Sequence, residues 1–287
     1  MMELEELEKE SIKIIQQTIM MFPFEKVGIL WSMGKDSTVL LHLVRSIYPD
    51  VPAVFVDTGL EYPELKQFVK TVDNVITIRP KKSFVQVINE NGYPVVSKKV
   101  ARQIRDLRHP TGKNEATRRL YLTGIKKDGT KTKTLKLSKK WYCLIDAPFE
   151  VSEQCCNIMK KEPIHRYERE SNRKGITGIM ASDSSMRETS YLQNGCNNFK
   201  AGRSSPLAFW VETDIWQYIR ENNIKYCSIY DTGVKRTGCM FCMFGVHLEK
   251  EPNRFQLMKN THPQLYNYCM NNLGCKKVLD YIKVKSE

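Results

Sequence analysis

The stretch Trp31-Ser32-Met33-Gly34-Lys35-Asp36-Ser37-Thr38 has the residue types of an anion cradle, set between the apolar runs Gly28-Ile29-Leu30 and Val39-Leu40-Leu41. Apolar run, small polar loop and apolar run read as strand, loop and helix. The first turn of such a helix leaves backbone N–H groups unpaired and pointing one way, here beside Ser32, Ser37, Thr38 and the Lys35 ammonium, which suits phosphate. An ordinary helix cap by Ser32 or Asp36 would look the same in isolation. A second chemistry lies in the thiols. Cys155-Cys156 and Cys239-Met240-Phe241-Cys242 offer four thiolates, a donor set for zinc or an iron–sulfur cluster, while a C-x-x-C alone could equally be a redox pair. A third feature is charge. Between Lys98 and Lys140 there are fifteen Lys and Arg against three acids, a local excess of +12 out of a formal +13 for the whole chain.

These groups need a frame. Ala53-Val54-Phe55-Val56 reads as a second strand that runs into Asp57-Thr58-Gly59, and a third precedes Arg79, Lys81 and Lys82, cations for a second phosphate or for water. Strands alternating with helical segments predict an α/β fold with a mainly parallel sheet flanked by helices, binding its ligand beyond the carboxyl ends of the strands. Asp57, Thr58 and Gly59 then fall beside the first loop. Residues 1–22 read as an amphipathic helix, with Leu4, Leu7, Ile12, Ile14 and Ile15 roughly on one face. Trp216 and Ile219 have the spacing of one buried helical face. In the basic region, Arg102, Arg105 and Arg108 recur every third residue until Pro110, and Asp128-Gly129 signals a hairpin turn within Tyr121 to Leu137, with Lys131 and Lys133 on one face. The expectation is one domain over 1–287, carrying a basic β-hairpin insertion at about 98–141 and a helical tail at about 246–287.

Composition narrows the classes. At 287 residues and 41% hydrophobic content the chain can bury a large core. It has no apolar run of membrane-spanning length, and its acidic N-terminus is unlike an export signal, so a cytoplasmic protein with no membrane partner is expected. Nine cysteines without regular spacing then read as thiols or metal ligands rather than disulfides. A basic stripe is the electrostatic footprint of a nucleic-acid binder, though a polyanionic small ligand, a solvated face or an acidic protein partner also fits. His247 and His262 are candidate neighbours of the cysteines or a substrate, or structural histidines. Oligomeric state is left open.

The loop is not a Walker P-loop, because Asp36 separates Lys35 from Ser37. It resembles the pyrophosphate loop of ATP pyrophosphatases, Ser-Gly-Gly-x-Asp-Ser, with Met33 in place of the first glycine. Phosphoadenylyl-sulfate and adenylyl-sulfate reductases are similar over roughly residues 26–245. Asp57-Thr58-Gly59 resembles their Leu-Asp-Thr-Gly loop, and Cys155-Cys156 through Lys160 and Pro163 resembles their Cys-Cys-x-x-x-Lys-x-x-Pro segment. Ile176 to Arg187 is similar to their strand and Ser/Arg loop, and Ser205-Pro206-Leu207 and Asp214-Ile215-Trp216 to their later motifs.

The resemblance implies an adenine nucleotide, ATP or an adenylyl-sulfate type, held by Ser32, Gly34, Lys35, Asp36, Ser37, Thr38, Asp57, Thr58 and Gly59. It implies a [4Fe–4S] cluster on Cys155, Cys156, Cys239 and Cys242, with Lys160 linking cluster and substrate. Lys35, Asp36, Lys160 and Arg187 then form the catalytic set, with Asp36 and Asp57 organising Mg2+. The reductases' terminal Glu-Cys-Gly-x-His is absent, and Cys275 is a late cysteine that reads as a buried thiol or a substitute nucleophile. Three functions follow. They are ATP-dependent adenylation and sulfur transfer to a nucleic acid, similar to DNA phosphorothioation proteins and tRNA thiolases; reduction of adenylyl or phosphoadenylyl sulfate to sulfite; or a non-catalytic nucleic-acid-binding module. The first two call for a protein that donates sulfur or electrons.

Overall fold

The computed structural model describes residues 3–287. In chain order the elements are α1 (Leu4–Met21), β1 (Val27–Leu30), α2 (Lys35–Arg45), β2 (Ala53–Val56), α3 (Pro63–Val69), β3 (Val75–Ile78), α4 (Phe84–Asn91), β4 (Val95–Val96), α5 (Lys98–Arg108) and α6 (Glu115–Thr123). There follow α7 (Glu162–Ser171), β5 (Lys174–Thr177), α8 (Ser185–Asn194), β6 (Asn197–Asn198), β7 (Arg203–Ser204), α9 (Glu212–Glu221), β8 (Met243–Phe244), α10 (Arg254–Thr261), α11 (Pro263–Asn267) and α12 (Cys275–Tyr281). Among the described residues no helix is long and apolar enough to cross a membrane.

The contacts divide the chain into two compact units, residues 1–80 with 162–238 and residues 81–161 with 239–287. The basic region and the tail both fall in the second unit.

The first unit is built on a six-stranded sheet of order β3-β2-β1-β5-β7-β6, parallel except where β6 runs against β7. Central strand β1 is covered on both faces, Val27 and Ile29 being fully buried on one and Gly28 buried on the other, as expected of a parallel strand covered by helices. The chain steps from β1 to β2 and β3 on one side and returns to β5 on the other, so the order reverses at β1. That reversal opens a crevice at the carboxyl ends of β1 and β5, where such sheets bind ligands. Helix α1 buries Leu7, Ser11, Ile14, Ile15 and Thr18, the spacing of one face. Its buried hydroxyls are satisfied: Ser11 donates to the Pro206 carbonyl and accepts from the Trp210 indole, each at 2.9 Å. On α9 the buried face is Ile215, Tyr218 and Ile219. Trp216 lies off that face, half-buried against Tyr226 and Tyr230 at ring separations of 5.3 and 5.4 Å, which corrects its expected pairing with Ile219 in the core.

The second unit has a two-stranded parallel pair, β4 with β8, and a parallel bridge from Tyr93 to Val151. The segment Tyr93–Val96 thus holds Glu150–Ser152 and Met243–Gly245 through backbone bonds: Tyr93 N–H to Glu150 at 2.8 Å, Ser152 N–H to Tyr93 at 3.1 Å, and Gly245 N–H to Val96 at 2.8 Å. Gly92 (φ +92) permits this approach, since a Cβ there would meet the Glu150 carbonyl carbon at 2.4 Å. The expected β-hairpin is replaced by α6 followed by a single antiparallel bridge between Ile125 and Lys131 around the Asp128-Gly129 turn. Leu120, Tyr121 and Leu122 extend the helix because good helix formers outweigh strand pairing where no apolar sheet face is available.

Candidate functional site

In the first unit the loop Ser32–Gly34 joins β1 to α2. Met33 has φ +61 and is buried, so it keeps the left-handed turn of the glycine that the resembled motif carries there, with its side chain in the core. A non-glycine residue in that region costs on the order of 1 kcal/mol. Ser37 ties the loop together: its hydroxyl accepts the Ser32 N–H at 3.2 Å, donates to the Gly34 carbonyl at 3.0 Å and lies 3.1 Å from the Ser32 hydroxyl. Thr38 turns inward and accepts from the Trp31 indole at 3.1 Å, so it supports the loop instead of lining it. The N–H groups of Asp36 and Ser37 find no acceptor among the described residues. They and the Ser32 and Ser37 hydroxyls form the cradle.

Lys35 is 4% exposed, its ammonium 3.1 Å from Asp36 and 3.2 Å from Glu212. Burial pulls its pKa down, but Asp36, Tyr230 and Glu212 outweigh that and raise it, so it is charged at neutral pH. Burial raises the Asp36 carboxyl, with Asp183 and Glu212 adding to the effect against Lys35. Gly178, just beyond β5, lets the next loop close on α2, where a Cβ would lie 3.0 Å from the Asp36 carbonyl oxygen. That loop leads to Asp183, which pairs with both Arg187 and Arg236. Arg187 is therefore presented by a carboxylate, and Arg236 joins it.

Beyond β2, Asp57 accepts from Arg79 at 3.0 Å and from the Gly59 N–H at 3.2 Å, with the Lys66 ammonium at 3.8 Å. Its carboxylate is committed to these cations, as that of Asp36 is to Lys35. Thr58 gives its N–H and hydroxyl to Glu61 at 3.1 and 2.6 Å, and Gly59 takes φ +76 to make the turn. Sequence reasoning missed Glu61, Glu212 and Tyr230, the last of which accepts the Lys35 N–H at 2.9 Å. Only Glu61 had a signal, the Thr-x-x-Glu spacing of a capping box.

The four candidate ligands all lie in the second unit as free thiols: Cys155 is buried and Cys156, Cys239 and Cys242 half-buried. Burial and then the other three thiols push the Cys155 thiol up, while Lys160 pulls it down. The Cys242 thiol is pushed up to about 11 by burial and Cys239, opposed by the Phe244 N–H and by Arg254, whose guanidinium also donates to the Cys242 carbonyl at 3.1 Å. The four thiols thus sense one another across eighty-odd residues of sequence, with two cations and an N–H donor beside them. Among the described residues no three Cys, His, Asp or Glu side chains converge on a single ion. A π-helical turn, Asn157–Lys161, follows the pair and carries Lys160. His247 packs edge-on against Trp141 at 5.0 Å, and the His262 ring contacts the Thr261 hydroxyl at 2.8 Å. Cys275 is fully buried, with its free thiol beside that of Cys269.

The basic region divides in two. Arg105 bonds Glu153 at 2.6 Å and Asp106 at 2.9 Å, and Arg108 bonds Glu150 and the Ala147 and Phe149 carbonyls. Arg102 lies 3.8 Å from Asp106. The arginine stripe is therefore largely structural, since these residues clamp α5 to the chain before Cys155. By contrast, Lys126 senses the exposed Asp128, and no ion pair to a carboxylate is found among the described residues for Lys113, Arg118, Arg119, Lys127, Lys131, Lys133, Lys136 or Lys139.

Comparison with known proteins bears on both units. Residues 26–138 and 120–244 match the phosphoadenosine phosphosulfate reductase domain. Sulfate adenylyltransferase subunit 2 of Hahella chejuensis is 28% identical over 288 residues, covering 95% of this chain and 80% of that protein. Adenosine 5'-phosphosulfate reductase of Lysinibacillus sphaericus is 23% identical over 212 residues, 74% of this chain and 70% of that one. An uncharacterized protein of Methanocaldococcus jannaschii is 25% identical over 278 residues, 92% of this chain but 52% of its own length, so the chain spans about half of that relative. A pyrophosphate-type loop at the sheet's reversal point and a domain match running through both units place the chain in the phosphoadenosine phosphosulfate reductase family, within the ATP pyrophosphatase loop superfamily.

Proposed function

We propose that the chain is an adenine-nucleotide enzyme of sulfur chemistry, and that its reaction is ATP-dependent adenylation of a nucleic acid followed by sulfur transfer. An acceptor oxygen attacks the α-phosphorus of ATP, pyrophosphate leaves to the cradle of Asp36 and Ser37 N–H groups, and Lys35 and Arg187 offset the charge that develops. Sulfur at the sulfide level then displaces AMP, which carries away the acceptor's oxygen. No net oxidation occurs, so the donor protein supplies sulfur and no electron acceptor is needed.

The second unit supports a [4Fe–4S] cluster on Cys155, Cys156, Cys239 and Cys242. These thiols share one neighbourhood, with Cys155 sensing the other three. Lys160 and Arg254 suit the negative charge of four thiolates around such a group. When bound, the cluster would supply a site for sulfide-level sulfur. Mg2+ fits beside Asp36.

The observation that carries the nucleic-acid acceptor is the set of unpaired cations on α6 and the turn after it. A single nucleotide needs far fewer, and a row of this kind matches a phosphate backbone. Reduction of adenylyl sulfate or its 3′-phosphate is the second reading, favoured by Lys160 acting on Cys155. It requires two electrons per turnover from an external thiol protein, with or without a nucleophilic cysteine in this chain, and the Cys275 thiol is fully buried. A non-catalytic nucleic-acid module is disfavoured by the ordered, ligand-ready phosphate loop.

The test is anaerobic purification, iron and sulfide analysis, and incubation with ATP or adenylyl sulfate with and without nucleic acid. Pyrophosphate released only with nucleic acid supports thiolation, and sulfite supports reduction. If neither product forms under any condition, both enzyme readings fail.

A further inference from the structure

The segment that closes over the phosphate loop within the first unit is the 3-10 turn Ser228–Thr232 and the stretch to Gly238. Tyr230 accepts the Lys35 N–H at 2.9 Å, and its hydroxyl lies 3.2 Å from that of Thr237. A Cβ on Gly34 would meet the Thr237 hydroxyl at 2.8 Å and the Tyr230 hydroxyl at 3.4 Å, so both oxygens stand directly against the loop. Burial raises the phenol's pKa, which keeps it protonated at neutral pH. The Lys35 N–H leads the first turn of α2, the turn whose next two N–H groups form the cradle. A phosphate oxygen bonding that N–H would fall where the phenol oxygen already sits, so the two cannot coexist.

We propose that the Tyr230 hydroxyl is a gate on the phosphate loop, holding the leading N–H of α2 until a ligand with enough phosphate oxygens displaces it. The inference rests on the nucleotide reading of this loop and adds a residue that sets its affinity. The exchange replaces a neutral hydrogen bond by a charge-assisted one of roughly twice the strength, so it favours the ligand modestly. Pyrophosphate has oxygens for the Asp36 and Ser37 N–H groups as well as for the contested one, and inorganic phosphate has fewer to spare. The gate therefore selects for a pyrophosphate unit over a single phosphate. Gly233, at φ +87 with nothing within 4 Å of where its Cβ would lie, ends the turn that carries Tyr230.

Trp216 reports on the gate, since its ring meets Tyr230 edge-on at 5.4 Å. Calorimetric titration with inorganic pyrophosphate, of the native protein and of Tyr230→Phe, measures the gate directly. Loss of one neutral hydrogen bond from the competing state should tighten binding by about two- to tenfold. Unchanged or weaker binding by Tyr230→Phe overturns the gate alone. In the native protein, pyrophosphate should change the part of the emission that Trp216→Phe abolishes, and an unaltered Trp216 signal at saturation also overturns it. Failure of both proteins to bind pyrophosphate would remove the phosphate-loop reading itself, and the gate with it.

Discussion

The phosphate loop and the cysteine quartet are organised in opposite ways. At the loop the binding groups are largely backbone, fixed by Ser37, Met33 and the close approach of Gly178, and the surrounding charges are neutralised within the unit: Lys35 between Asp36 and Glu212, Asp57 by Arg79, Asp183 by two arginines. At the quartet the candidate ligating atoms are side chains, and burial disfavours the ionised forms of Cys155 and Cys242, with Lys160 and Arg254 only partly offsetting this. One site is pre-organised, and the other, on the proposed cluster reading, would depend on its ligand to become stable. Preorganisation lowers the ordering cost of binding, while a site of thiolates makes metal binding part of folding.

The most severe way to break this contrast is at Gly92. Its φ of +92 and the 2.4 Å clearance to the Glu150 carbonyl carbon leave no room for a side chain. Gly92→Ala should abolish iron retention, with nucleotide binding, read by calorimetry, largely retained. Loss of both would show that the two units do not fold separately. Next in size, Cys242→Ser should lower iron content by more than half and reduce the melting temperature of the metal-loaded protein, and removing iron from the native protein by chelation should lower its melting temperature similarly. A phosphate-loop variant such as Lys35→Met should do neither, while weakening pyrophosphate binding at least tenfold.

A smaller effect sharpens the electrostatic side. Asp36 has a raised pKa, mainly from burial, so its ionised form costs stability once the pH exceeds the folded pKa. That cost fades as pH falls through the folded pKa, and it vanishes below the unfolded value near 3.8. Asp36→Asn should therefore raise the melting temperature at neutral pH, lose that advantage by about pH 4, and reduce turnover. The smallest expected change separates the two kinds of basic residue. Arg105→Ala should destabilise the protein by about 2 kcal/mol without altering the salt dependence of nucleic-acid binding. Joint replacement of Lys127, Lys131 and Lys133 by Ala should leave stability intact and reduce the salt slope by about two to three units.

What could be read from sequence was local. The strand-loop-helix of residues 28–44 follows from apolar runs and small residues within one window, and so does the Asp57 turn. Met33 was visible only as an oddity, because its meaning lies in a backbone angle. Trp216 misled because Trp216 and Ile219 fit a helical repeat, while the face is set by what covers it: Ile215, Tyr218 and Ile219 meet the core, and Trp216 meets Tyr226 and Tyr230. The arginine stripe was a true periodicity with the wrong consequence, since its partners Glu150 and Glu153 lie more than forty residues on. Tyr230 was illegible for the same reason, as its partner is 195 positions away.

The Tyr93–Val96 segment has a consequence in time. Because it holds the stretches on both sides of the quartet, neither cysteine pair acquires its place alone, and the second pair arrives only after residue 242 has left the ribosome. Assembly of the four thiols is then a late, single event in the life of each new chain, and a chain cut short before Cys239 would carry Cys155 and Cys156 without the second pair.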